Sequence, residues 1–124
     1  MFSTGVMGLT KVRVRLIGLE SGLARDVELL VDTGSVLTWV KGSVLEELGV
    51  RTRRVRRIKT ITGEVVERRT GLVTLVLGGS EADVEVVFAE EGDGEVLGVV
   101  ALESLGYAVN PVTGEVEYVG YIAY

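Results

Sequence analysis

Neither cysteine nor histidine occurs among the 124 residues, and proline and tryptophan occur once each. Without cysteine there can be no disulfide framework, no thiolate metal site and no cysteine nucleophile. Without histidine, Ser-His and Cys-His catalysis are excluded, as are zinc peptidase motifs built on paired histidines. A hydrolase of this composition is left with carboxylates as its natural acid–base groups. The reading therefore calls for no metal and no cofactor. No apolar run reaches the ~20 residues that span a bilayer. The opening Met1 to Thr10 lacks the basic start and apolar centre of a secretion signal. The expectation is a soluble, cytoplasmic protein with no membrane partner.

What is present points to strands. Hydrophobic residues make up 47% of the chain, with many valines and 17 glycines. β-Branched residues combined with turn formers favour short strands joined by tight turns. The length fits one domain, residues 1–124, and leaves no room for a second lobe. The net charge of −5 is unevenly spread. All 13 basic residues and eight of the 18 acids precede Gly71, a balance of +5, and the remainder carries −10. Pairing of the two parts, within the fold or between subunits, accounts for this. The run Arg51, Arg53, Arg54, Arg56, Arg57, Lys59 also suggests a nucleic-acid surface. An acidic chain with no aromatic residue in that run favours a solvated strand face, so no nucleic-acid partner is expected.

Along the chain, Lys11 to Ile17 alternates charged and apolar residues with the period of a half-buried strand. Gly18 to Gly22 reads as a turn and Asp26 to Val31 as the returning strand. Ser43 to Leu48 has the pattern of a short helix, with Ser43 as cap, Glu46 as capping-box partner and Gly49 as stop. Arg54 to Leu77 reads as two strands about a turn at Thr62 and Gly63, and Ala82 to Phe88 as a further strand. A second short helix is expected over Ala101 to Leu105, then a strand Tyr107 to Asn110. Pro111 to Gly114 is a turn, and a last strand runs from Glu115 to Tyr124, including Val116, Tyr118 and Ile122. The fold class is all-β: a closed or nearly closed barrel with one or two short helices.

One segment carries chemistry. Leu29, Leu30 and Val31 form an apolar lead-in to Asp32, Thr33, Gly34 and Ser35. An Asp-Thr-Gly triplet turns up by chance in roughly one chain of this length in a hundred, and the same residues also make an ordinary turn. Here the apolar strand would carry the carboxylate from a buried sheet into a cleft. Asp26, Asp83, Asp93 and the glutamates lack such a setting. Downstream, Val96, Leu97 and Gly98 lead into Ala101 to Leu105 and Gly106, with the hairpin around Thr62 and Gly63 in between.

In this order of elements the chain resembles the retropepsin-like aspartic peptidases, from about Thr10 to Tyr118. The segment Ser35 to Val40 is also similar to the stretch after the catalytic motif in pepsin-like enzymes. The resemblance implies an acid-protease barrel with one lobe per chain, acting as a homodimeric endopeptidase on peptide or protein substrates. It makes Asp32 the catalytic carboxylate, paired with its symmetry mate. Thr33 would lock its loop to the partner's loop, Gly34 would allow close backbone approach, and Ser35 would hydrogen-bond the outer oxygen of Asp32. Val96, Leu97 and Gly98 would support the active-site loop. Thr60, Ile61, Thr62, Gly63 and Glu64 would form a flap over the substrate. That tip carries one glycine and no tyrosine, unlike the glycine-rich retroviral flap. A dimer sheet would draw on the chain termini. The competing reading is a non-catalytic, dimeric peptide-binding or assembly module on the same fold.

Overall fold

Alternation along the strands sets the architecture. The computed structural model describes residues 10–121. Strand β1 (Lys11–Ile17) buries Val14 and Leu16 while its basic residues stay in solvent, and β2 (Ala24–Asp32) returns beside it with Leu29 and Val31 buried. Then come β3 (Thr38–Lys41), α1 (Gly42–Glu47), β4 (Arg54–Lys59), β5 (Val65–Leu77) and β6 (Ser80–Ala89). The chain ends with β7 (Val96–Gly98), α2 (Val99–Ser104), β8 (Tyr107–Val109) and β9 (Val116–Tyr118).

Six strands close a barrel in the order β1-β2-β7-β3-β6-β5, sealed by β5 pairing back onto β1 through Leu75 and Leu16. Closure removes the free edges that an open sheet would expose. β4 lies outside the ring, paired only with the first half of β5, so the β4–β5 hairpin projects from the barrel. β8 and β9 form a separate two-stranded ribbon.

The barrel is filled by Val14, Leu16, Leu29, Val31, Val40, Val73, Leu75, Val84, Val86, Phe88 and Leu97, with α1 and α2 adding Leu45, Leu102 and others. Each fully buried leucine of this set contributes roughly 2–3 kcal/mol by leaving water. The expected class of fold is therefore observed.

Several boundaries differ from the sequence reading. β2 begins at Ala24, two residues early. α1 starts at Gly42 directly out of β3, so Ser43 falls inside its first turn and caps nothing; Glu46 pairs with Arg69 instead. α2 starts at Val99 rather than Ala101, because the amides of Val99 and Val100 are held by the carbonyls of Ser35 and Val36. The last strand stops at Tyr118, where the amides of Val119 and Gly120 both turn to the Gly106 carbonyl. Ile122 to Tyr124 and the first nine residues, with the terminal dimer sheet expected from them, lie outside the described residues. Among the described residues no helix is long and apolar enough to cross a membrane.

Candidate active site

Asp32 is the last residue of β2, and strand alternation puts it on the face opposite Leu29 and Val31, away from the core. β2 pairs in parallel with β7, with Leu30 beside Val96, Val31 beside Leu97 and Asp32 beside Gly98. On its other side β7 pairs with β3, Val96 meeting Trp39. β7 is thus wedged between two strands that follow one another in sequence. The connection 33–37 between them must cross the end of β7, and Gly98 is where it does so.

That crossing is tight. A Cβ on Gly98 would lie 2.3 Å from the Leu37 carbonyl oxygen and 2.8 Å from that of Ser35. The backbone of Gly98 is ordinary extended chain, φ −83°, so glycine is required for space and not for conformation. Hydrogen bonds fix the approach: Val99 N donates to the Ser35 carbonyl at 2.7 Å, and Gly98 N to the buried Thr38 Oγ1 at 3.0 Å. Within the loop, Gly34 N donates to Asp32 Oδ1 at 2.9 Å and Ser35 N to the Asp32 carbonyl at 3.1 Å.

The carboxylate itself is closed off. Asp32 is 0% exposed, and its Oδ2 is buried with no hydrogen-bond partner among the described residues. A buried polar atom without a partner costs about 1–3 kcal/mol, more when charged, so such an atom marks an incomplete arrangement. Water does not touch the carboxylate in this conformation.

Thr33 and Gly34 are exposed, Ser35 is half-buried, Val96 and Gly98 are buried, and Leu97 belongs to the core. Ser35 corrects the sequence reading: its hydroxyl donates to the Leu37 carbonyl at 2.7 Å, not to Asp32. Thr60 to Glu64 form the tip of the β4–β5 hairpin, closed by Thr60 N to the Glu64 carbonyl at 2.7 Å and by Gly63 at φ 90°. Ile61 stands 74% exposed at that tip.

Sequence reasoning missed two features. Thr38 anchors Gly98, and a lone threonine heading an apolar strand was its only signal. The second feature is a row of side chains, Leu30, Val96, Trp39, Val87 and Thr70, in register across β2, β7, β3, β6 and β5. They share the face of Asp32, because residues directly opposite in a sheet point the same way. Val96, Val87 and Thr70 are buried, and Leu30 and Trp39 are partly so. A floor that is apolar except for Thr70 therefore runs outward, two residue pairs below the aspartate.

The charge asymmetry is met in part within the fold. Arg56 forks onto Glu85 at 2.6 and 3.0 Å, and Arg68 onto Asp93 at 2.7 and 3.0 Å, tying the basic part to the acidic one. Arg68 holds the Asp93 carboxyl below its usual range, against an opposing push from burial. Arg56, aided by the Thr70 hydroxyl, does the same for Glu85. Arg51 is engaged with Glu20, so at least two cations of the basic run are matched by acids. Asp26 is paired with Arg15 at 2.9 Å, in keeping with its assignment as a non-catalytic acid.

No protein of curated function gives a significant match to the chain. A family profile does match, that of the aspartyl proteases, over residues 12–107. The matched span runs from β1 to the start of β8 and takes in Asp32, the loop after it, the hairpin and β7. With most of its length covered and its aspartate at the end of an apolar barrel strand, the chain belongs to the aspartyl protease family.

Proposed function

We propose that the protein is an aspartic endopeptidase working as a homodimer, with two Asp32 carboxylates facing each other across a two-fold axis. The observation that carries this is the Oδ2 of Asp32, buried and without a donor among the described residues. Once that oxygen is uncovered, a second copy would supply what it lacks, since an isologous interface brings the same residue from each side. Like charges about 3 Å apart do not both ionise, so the pair shares one proton. The ionised carboxylate takes a proton from water as its oxygen attacks the scissile carbonyl, and the protonated one donates to the carbonyl oxygen. Collapse of the resulting gem-diol breaks the C–N bond, the nitrogen leaving with the proton held by the carboxyl that activated water. The other carboxyl, now ionised, takes a proton from a gem-diol hydroxyl, so the pair again shares one proton.

Gly34 N on Asp32 Oδ1 and the Thr38–Gly98–Ser35 contacts hold the carboxylate at a fixed angle. The floor of Leu30, Trp39, Val87 and Val96 favours apolar side chains on either side of the cleaved bond. The substrate would lie extended, gripped by main-chain hydrogen bonds, with the β4–β5 hairpin as its flap. Because water does not reach Asp32 here, the reaction requires that dimer formation or hairpin movement uncover it.

Cleavage of a peptide library across a range of pH tests the reading. The native chain should cut next to apolar residues and Asp32→Asn should cut nothing, while sedimentation shows both as dimers. Undiminished cleavage by Asp32→Asn would rule the assignment out.

A further inference from the structure

The hairpin β4–β5 places two arginines directly opposite each other, Arg56 on β4 and Arg68 on β5. Like charges facing across a strand pair destabilise it. Within the hairpin only the Glu67 carbonyl accepts from Arg68, and no carboxylate there forms an ion pair with either arginine. Relief comes from the barrel, each guanidinium being gripped bidentately by a carboxylate outside the hairpin: Glu85 on β6 and Asp93 in the loop before β7.

The Arg68–Asp93 fork is the more enclosed. Both side chains are 16% exposed, whereas every other described ion pair has at least one partner more than 30% exposed. Both ends are held in place beforehand. Asp93 Oδ2 also accepts from Glu90 N at 2.8 Å, and Arg68 donates to the Glu67 carbonyl at 2.9 Å with Glu90 nearby at 3.7 Å. Beyond this pair, Arg57 to Lys59 and Val65 to Glu67 pair only with each other, and the backbone bonds of the tip are internal. On the barrel side, the loop bearing Asp93 runs within three residues into Val96, on the strand that sits beside Asp32.

We infer that the Arg68–Asp93 fork is a latch that fixes the base of the hairpin to the barrel and sets how readily its distal part swings. Arg68 and Asp93 are on this account positioning residues for the flap, which rests on the reading of the hairpin as substrate cover. Opening the latch frees the hairpin from the Arg56–Arg68 pair outward without disturbing the barrel.

Hydrogen exchange on the full chain tests the latch whether or not the protein cleaves peptides. Asp93→Asn and Arg68→Gln should speed amide exchange across residues 57–67 about tenfold, the loss expected of a pair between exposed and buried. Residues 12–30 should exchange as in the native chain. Arg68→Lys, which keeps the charge and loses the fork, should fall between, and the double exchange Arg68→Asp with Asp93→Arg should restore much of the protection. On a cleaved peptide the single variants should raise KM more than they lower kcat. Unchanged exchange at 57–67, or an equal rise at 12–30, would overturn the latch. A native chain that cleaves nothing would overturn the peptidase reading and leave the exchange result standing.

Discussion

Replacing Gly98 with alanine isolates the contact on which the geometry of the site depends. The new Cβ would stand 2.3 Å from the Leu37 carbonyl oxygen, 2.6 Å from its carbon and 2.8 Å from the Ser35 carbonyl oxygen. All three are backbone atoms, so no side chain can rotate away. Ordinary contact needs about 3.4 Å or more, and the loop 33–37 must therefore retreat by roughly 1 Å. That retreat stretches Val99 N to the Ser35 carbonyl and Gly98 N to Thr38 Oγ1, now 2.7 and 3.0 Å. Overpacking costs about 1–3 kcal/mol, and each weakened bond adds about 1 kcal/mol. The expected loss is about 3–5 kcal/mol, read from urea midpoints at one protein concentration. Two other glycines serve as controls. Gly79→Ala meets nothing within 4 Å and needs no unusual φ, so it should be neutral or slightly stabilising. Gly22→Ala also meets nothing but sits at φ 72°, and should cost about 1 kcal/mol. A Gly98→Ala chain within about 0.5 kcal/mol of native would refute the argument that β7 and the aspartate loop are in obligatory contact.

Other outcomes follow from the same geometry. Thr38→Val keeps the shape but leaves the buried amide of Gly98 without an acceptor, and should cost about 1–3 kcal/mol in the same urea assay. Trp39, the only tryptophan, lies on the floor two strands across from β2, so an apolar peptide added to Asp32→Asn should shift its emission; a polar control peptide should not. Acid should weaken the fold in a defined window. The folded-state values of Asp93 and Glu85 are depressed, so their contribution is whole above the ordinary carboxylate range and drains away as pH falls through the lower folded values. Stability measured from pH 6 downward should therefore drop less steeply in the double variant Asp93→Asn, Glu85→Gln than in the native chain.

How much of this could be read beforehand depends on sequence separation. Asp32 was legible because its signals are local: three apolar residues, a strand end and a Thr-Gly turn. The hairpin tip at Thr60 to Glu64 was legible for the same reason. A closed barrel was expected, but the pairing of Leu16 with Leu75 that closes it was not legible, and neither was the insertion of β7 between β2 and β3, since both join distant segments. The error over Ser35 follows from this. Once β7 draws the Ser35 carbonyl to Val99, the hydroxyl is aimed at Leu37. Val99 and Val100 fell outside the expected helix for the same reason, because it is the tertiary bonds to Ser35 and Val36 that start α2 two residues earlier. Ser43 had the chemistry of a cap, but β3 runs straight into α1 and leaves Lys41 in that position.

On the proposed mechanism one chain holds half a site, and mixing subunits decides it: peptide cleavage is followed at a fixed amount of native chain while Asp32→Asn chain is added. With free exchange of subunits, an equal amount of variant leaves about half of the native chains in native pairs, and cleavage should fall to about half. Excess variant should silence it. Cleavage that stays constant while sedimentation shows mixed dimers forming would mean that a single Asp32 suffices, and would contradict the account.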